Sequence, residues 1–433
     1  MFRQRLLLWK ESLRNVMERV ELLMPAGSPE VLEAVIRFGA DAVYVGAETL
    51  SLRAKAHNFS EEELQAAIRL CHRQGKRLYL AVNIFAHNRD LKEARELFEK
   101  IRAWTDKPDA FIVSDFGIFR MAQSLCPDVS IHISTQTNST NYETFRFWYS
   151  LGAKRVVCAR ELSLEEIREI YDNIPREMEI EAFVHGAMCM SYSGRCLISN
   201  FLAGRDANQG LCTHPCRWKY FLTEETRPGQ YLPLEEDGRG TYLYNSKDLC
   251  MIGHLPELLE AGVKSLKVEG RMKTLLYAVT VARAYRLALD ALARSREEYE
   301  RILPLVSAEV SKCTTREYCT GFYFGRPGPE AQNMASSEYR SEYRYMGMLR
   351  EDEGGLYVEQ KNKFRVGDVL EAIRPDGTTL PFTVDGLKDA EGSRRPDAPH
   401  PGEKLYVISD APLRAGDLLR KENCEKDAIS AKL

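Results

Sequence analysis

The stretch VELLMPAGSPEVLEAVIRFGADAVYVGA, residues 20 to 47, decides the fold. It opens with VELLMPA, an apolar run of strand length. Ser28 then stands where a helix N-cap belongs, and Pro29 takes the first helical position. Val31, Leu32, Val35 and Ile36 follow at helical spacing, so one face of that helix is apolar. Gly39 marks its end, and DAVYVGA (41 to 47) opens a second strand. Strand, helix and strand in so short a space make one βα unit of a parallel sheet.

Outward from that unit the rhythm repeats. Further strand-like runs are RLYLAVN (77 to 83), AFIVSD (110 to 115), SIHIST (130 to 135), RVVCAR (155 to 160), EIEAFVHG (179 to 186) and SLKVEGR (265 to 271). Amphipathic segments lie between them, with Gly75, Gly152 and Gly262 as further helix stops. Eight such repeats ending in a long helix from Leu275 to Leu289 predict an α/β fold, a (β/α)8 TIM-like barrel over residues 20 to 291. A barrel carries its chemistry on the loops after the strands, so the polar strand ends become candidates: Asn83, Ser114, Asp115, Gln136, Arg160, Glu161, His185, Glu269 and Arg271. The loop after strand seven, 187 to 253, is far longer than the rest, and a loop of that length in a compact domain is usually functional.

Residues 1 to 19 read as an amphipathic extension or an upstream start, since Met17 directly precedes the first strand. Residues 292 to 342 read as a helix and a Gly/Pro/aromatic connector. Over 343 to 420 short strands separated by Gly-rich turns predict a small C-terminal β-barrel domain, followed by a tail from 421 to 433. Acidic residues slightly outnumber basic ones in that domain, so its charge does not announce RNA. The whole chain of 433 residues has a net charge of −3, which also announces neither nucleic acid nor membrane. The first apolar run, Leu6 to Trp9, is far short of a signal sequence or a membrane span, and a cytoplasmic protein is expected.

Five of the eleven cysteines fall in the long loop: Cys189, Cys196, Cys212, Cys216 and Cys250. An odd total, unevenly spread, argues for thiolate ligands or buried thiols and against a disulfide framework. Four thiolates hold either a zinc ion or a [4Fe-4S] cluster. Zinc ribbons prefer two tight knuckles, whereas here only Cys212 and Cys216 form one; the looser Cys189/Cys196 pair suits the bulkier cluster, with zinc as the alternative. Arg195, Arg205, Arg217 and Lys219 lie nearby to balance an anionic cluster. Cys216 and Cys250 compete for the fourth place. Cys71, Cys126, Cys158, Cys313, Cys319 and Cys424 read as small apolar residues.

The sequence contains no H-E-x-x-H, G-x-S-x-G, Walker or Rossmann glycine motif. His185, at the top of strand seven and four residues before Cys189, is the histidine best placed for proton transfer, a buried core role being the alternative. Glu181 either orients His185 from the same side of the strand or is buried with a partner such as Lys267. Arg271 and Arg160 suit carboxylate or phosphate recognition, or ion pairs with Glu269 and Glu161. Gln136 and Asn138 either read a polar substrate or cap the following helix.

These residues together resemble the collagenase-like peptidase family of unknown catalytic type. The resemblance rests on Glu181, Phe183, Gly186, Ala187, Cys189, Gly194, Cys196 and Ser199, and on ELLMPAGSPE, RDANQGLCTHPCRW, SLKVEGRMK and TGFYFG. It covers nearly the whole chain from about Val20 to Arg420. It implies an oxygen-independent hydroxylase carrying a [4Fe-4S] cluster on cysteines of the long loop. The stretch SKDLCMIGH and the C-terminal domain look most like the branch that makes 5-hydroxyuridine at the tRNA wobble position, with prephenate as hydroxyl donor or required metabolite. That reading implies tRNA and a small dicarboxylate metabolite as partners, Arg160 and Arg271 as carboxylate contacts, and an iron-sulfur assembly or electron-donor protein. The rival readings are a peptidase, a hydroxylase of another RNA base or of a quinone precursor, and a non-catalytic zinc-containing RNA-binding protein.

Overall fold

A computed structural model describes residues 20–47, 50–51, 58–189, 191, 195–217, 221–223, 231–233, 247–313, 316–327, 331 and 342–423. The expected N-terminal extension, Cys424 and most of the tail lie outside them. The chain divides into two compact units. Of the described residues, the first comprises those up to 36, within 40–273 and within 316–338; the second comprises those within 37–39, within 274–315 and from 339 onward.

In the first unit eight parallel strands close on themselves. They are β1 (Glu21–Pro25), β2 (Ala42–Gly46), β3 (Arg77–Val82), β4 (Ala110–Val113), β5 (Ser130–Ile133), β6 (Arg155–Val157), β7 (Glu179–Ala187) and β8 (Val263–Val268). Each pairs with the next, and β8 pairs with both β7 and β1, with Ser265 opposite Glu181 on one side and Glu21 on the other. The barrel read from the sequence is therefore present. Its local signals act as expected: the helix Pro29–Arg37 starts with Ser28 Oγ accepting from the Val31 amide, and Ser60 and Ser163 complete capping boxes. Gly262 shows why a glycine ends the helix Leu255–Glu260. Its φ is 93°, and a side chain there would strike the Tyr171 ring.

Apart from β7, the strands are shorter than their apolar runs. β6 stops at Val157 and β8 at Val268, which leaves Arg160, Glu269 and Arg271 on loops beyond the strand ends. Inside the barrel an apolar belt of Leu23, Ala42, Tyr44, Tyr79, Ala110 and Ile112 is packed together. Toward the N-terminal ends of the strands it gives way to charge. Arg155 on β6 reaches across to Glu21 on β1 (2.5 Å) and also bonds Glu181 (3.1 Å), a span possible only through the interior because β6 and β1 are not neighbours.

The strand β7 carries the main irregularity. Against β8 its register slips between Phe183 and His185, because Lys267 faces Phe183 while Val268 faces His185. One extra residue in a strand reverses the side to which the following side chains point. Above β6, the segment Asp248–Cys250 pairs antiparallel with β7, Asp248 opposite Ala187 and Cys250 opposite His185, and Tyr318–Cys319 adds a further strand. The loop between them carries the helix Ile198–Ala203 and a small antiparallel pair, Phe221–Thr223 with Tyr231–Pro233.

The second unit holds the helices Leu275–Arg294 and Arg296–Ser311 and an eight-stranded antiparallel sheet running from Tyr343–Asp352 to Leu418–Glu422. The sheet encloses its own core, including Met346, Leu349, Phe364, Leu370, Phe382, Leu405 and Leu419. Arg420 is wholly buried and paired with Glu309 (2.7 Å) and Glu371 (2.7 Å), while Arg283 bonds Glu309 (2.9 Å), so charge ties helix to strand. The long helix assigned from sequence to the barrel thus groups with the C-terminal strands, and part of the connector, 316–338, groups with the barrel.

Candidate functional site

The C-terminal ends of the barrel strands surround a cavity of about 180 Å³. Its floor is Tyr44, Ile112, Val157 and Phe183, and polar groups come from Asn83, Ser134 and Gln136. Arg160, Lys267, Glu269 and Arg271 also line it, as do Cys189, Cys196, Cys212 and Cys216 from the long loop. All five residues expected to bind substrate therefore meet in one place, with four of the five loop cysteines.

Each cation is fixed by its surroundings. Lys267 Nζ bonds Glu181 Oε1 at 2.6 Å and lies 4.6 Å from the Tyr44 ring centroid. Glu181 in turn accepts from Ser265 and Arg155, so a buried chain of alternating charges runs from Lys267 through Glu181 and Arg155 to Glu21 and Glu179. Burial pulls the Glu21 carboxyl upward, but Arg155, Arg77 and the Tyr79 hydroxyl outweigh it and hold it below its ordinary value. The Arg160 guanidinium stacks 4.0 Å from the Phe183 ring centroid and its Nη1 donates to the Ala187 carbonyl at 3.0 Å. Arg271 extends over Gly46, where any side chain would collide with its Nη1.

On the cavity wall the buried donors Gln136 Nε2 and Arg160 Nε have no hydrogen-bond partner among the described residues. Gln136 Oε1 is engaged by Ser114 (2.9 Å) and Ser134 (3.1 Å), which fixes the amide. An unpaired buried donor costs about 1–3 kcal/mol. A bound acceptor such as a carboxylate or a uracil carbonyl would relieve that cost.

The cysteines fall into two groups. Cys71, Cys126 and Cys158 are buried, and burial pushes their thiols up to about 12, 11 and 12; Cys313 is buried too and donates to the Val310 carbonyl. Cys319 is half-buried on its short strand. Cys189 is exposed, while Cys196, Cys212 and Cys216 are half-buried on the cavity wall. Cys250 does not line the cavity; it lies on the strand beside β7. Among the described residues no three His, Cys, Asp or Glu side chains converge on one point as a single ion requires. Four cysteines on one wall match in number and softness the donor set of a zinc ion and of a [4Fe-4S] cluster, which takes each thiolate on a different iron. The cationic side chains in the same cavity suit the cluster's negative charge.

His185 and Glu181 are placed otherwise than same-side spacing suggests. The slip in β7 separates them: Glu181 points into the barrel beneath Lys267, and His185 is buried with Nε2 3.3 Å from the Tyr318 hydroxyl. His185 is not among the residues lining the cavity. Burial, aided by Lys273, pushes its imidazole down to about 3, so it is neutral at physiological pH. Glu161 is pushed upward by burial and makes no ion pair with Arg160 among the described residues. Sequence reasoning missed Arg155 and Glu21 as supports of the site. Their signal was a charged residue opening an otherwise apolar strand run.

Residues 27–333 match Peptidase family U32, and residues 341–420 match the Peptidase family U32 C-terminal domain. This chain belongs to peptidase family U32. Its U32 relatives include tRNA hydroxylation protein P of Escherichia coli (strain K12), 37% identical, with 93% of this chain and 97% of that protein covered. Another is tRNA hydroxylation protein P1 of Bacillus subtilis (strain 168), 34% identical over 94% of this chain and 96% of the relative. A third U32 relative is named collagenase, from Porphyromonas gingivalis, 34% identical over 71% of this chain and 74% of its own length. Among the described residues of this U32 chain no helix is long and apolar enough to cross a membrane.

Proposed function

We propose that this chain hydroxylates tRNA in the cytoplasm, forming 5-hydroxyuridine at the wobble position without molecular oxygen. The observation that carries this reading is the single cavity shared by four loop cysteines and three fixed cations, in a chain similar over almost its full length to tRNA hydroxylation proteins. The thiols fit a [4Fe-4S] cluster, held by Cys189, Cys196, Cys212 and either Cys216 or Cys250. When bound, such a cluster would supply one-electron transfer; replacing C–H by C–OH without molecular oxygen releases two electrons, so the reaction in this reading also needs an electron-accepting partner.

The chain's own residues bind and orient. Arg160 and Arg271 supply guanidinium forks for a small dicarboxylate, prephenate in this reading, as donor or required metabolite. Lys267, held by Glu181, adds a charge at the floor, and Gln136 Nε2 offers a donor to a carbonyl or carboxylate. A uridine must leave its stack to reach this depth, as in other enzymes that act on a base. His185 acts as a neutral hydrogen-bonding group beside Tyr318. An iron-sulfur assembly protein, which would load the cluster, completes the partners.

Anaerobic purification is expected to give a brown protein with roughly four irons per chain, and Cys189→Ser is expected to abolish the iron. Ser at Cys216 and at Cys250, tested separately, identifies the fourth ligand by which variant loses it. Deleting the gene in a strain with no redundant enzyme is expected to remove 5-hydroxyuridine derivatives from tRNA; unchanged levels would defeat the assignment. The relative named collagenase favours a second reading, proteolysis, and cleavage of a peptide substrate that survives Cys189→Ser would support it.

A further inference from the structure

Beside the cavity mouth the long loop presents a surface that the chain alone leaves bare. The helix Ile198–Ala203 turns Ile198 into the cavity, and Ser199 is buried with its hydroxyl 3.1 Å from that of Thr213. Next to Ile198 on the helix surface, Leu197, Phe201 and Leu202 are 66%, 87% and 46% exposed. Leu197 and Phe201 are four residues apart, so they stand on one face. Large apolar side chains grouped at the rim of a site mark an interaction surface.

The rim is anchored and basic. The Gln209 amide donates to the Phe85 carbonyl on the loop after β3, which ties the long loop to the barrel. The Arg195 guanidinium lies 5.7 Å from the Phe85 ring centroid, and Arg205 follows the Gly204 that ends the helix. Aromatic and aliphatic faces flanked by arginines are complementary to nucleobases on an anionic backbone, and neither element alone would select that partner.

We propose that this face docks a single-stranded loop of RNA, with Phe201 stacking on the base next to the nucleotide that enters the cavity. Withdrawing one base from a stack exposes the flat face of its neighbour, and an aromatic side chain that covers it recovers the lost stacking. The spacing fits. Ile198, on the cavity wall, and Phe201 are three positions apart, a rise of about 4.5 Å on one helix face, comparable with the roughly 3.4 Å between stacked neighbouring bases. The inference rests on the tRNA reading above and adds to it the side chains that hold the neighbouring base.

The test uses the full chain carrying Phe201→Ala or Phe201→Trp, with an unmodified tRNA transcript as the probe. Phe201→Ala is expected to weaken binding about tenfold with iron content and thermal unfolding as in the wild type, and Phe201→Trp is expected to restore it. Wild-type affinity in Phe201→Ala overturns the proposal, as does a loss that tryptophan fails to rescue. So does a wild-type dimer that Phe201→Ala converts to monomer with tRNA binding unchanged, because the face then serves a second copy of the chain. If the wild type hydroxylates tRNA and Phe201→Ala behaves identically, only this inference falls. If the wild type neither binds nor modifies tRNA, the functional reading falls first and this inference with it.

Discussion

Lys267 is a buried cation whose place is set from beneath. Its ammonium is held by Glu181, and Glu181 by Arg155 and Ser265, so the floor of the cavity is an extension of the charged interior of the barrel. Removing one member of a buried pair strands the other. Glu181→Gln is therefore expected to cost about 3 kcal/mol of stability, measured as a lowered urea midpoint. Adding Lys267→Met to that variant is expected to recover part of the loss, because no unpaired charge then remains. A Glu181→Gln protein as stable as the wild type would refute the dependence. Of the two roles the sequence offered Glu181, partner to Lys267 or orienter of His185, the geometry shows the first. The second assumed an unbroken two-residue alternation, which the slip at β7 interrupts.

At the scale of elements, Arg271 is shaped by two glycines on neighbouring strands and loops. A side chain at Gly27 would strike the Arg271 backbone carbonyl, whereas one at Gly46 would strike the flexible end of its guanidinium. Gly27→Ala is thus expected to cost about 3 kcal/mol and Gly46→Ala about 1 kcal/mol, yet Gly46→Ala is expected to lower hydroxylation roughly a hundredfold by displacing the cation. Equal effects of the two on stability, with activity intact in Gly46→Ala, would count against this arrangement. Apolar runs bounded by glycines made the eight strands legible, because burial on both faces leaves a continuous signal in sequence. The short strand Asp248–Cys250 and the pair Phe221–Thr223 with Tyr231–Pro233 were not legible, since three residues are too few to show an alternation. The cysteines announced a site, and the strand ends named its polar residues. Which of them meet was decided by where each strand stops, a matter of one to three residues that pattern alone does not resolve.

At the scale of the whole molecule, both units carry buried charge that acid removes. His132 is depressed well below its ordinary 6.5, by burial first and then by Arg155 and Lys267, and His185 is depressed to about 3. The unfolded chain takes up protons at these positions while the folded one does not, so stability falls as pH drops below about 6.5. Glu21 in the barrel unit and Glu309 in the C-terminal unit are held below their ordinary 4.5, with Arg155 and Arg420 overcoming the opposing effect of burial. Their contributions are complete above that value and are lost as pH falls below it. Urea midpoints are expected to decline in two stages on acidification, and His132→Gln is expected to shrink the first stage to the part that His185 supplies and to leave the second. A single stage below pH 4.5 in the wild type would contradict this. The division into units was partly legible: the β-rich C-terminal region stood out by its turns. The helix Leu275–Arg294 was harder to assign, because a helix apolar on nearly every side tells that it is covered and not by what.

The long loop departs from the barrel at Ala187 and returns at Asp248, and these two residues are paired with each other. An excursion that leaves and re-enters through adjacent positions does not require the register of the strands beneath to change with its length. Register and chemistry are thereby set on opposite sides of one pair of residues, the strands below it and the cysteine-bearing segment above it.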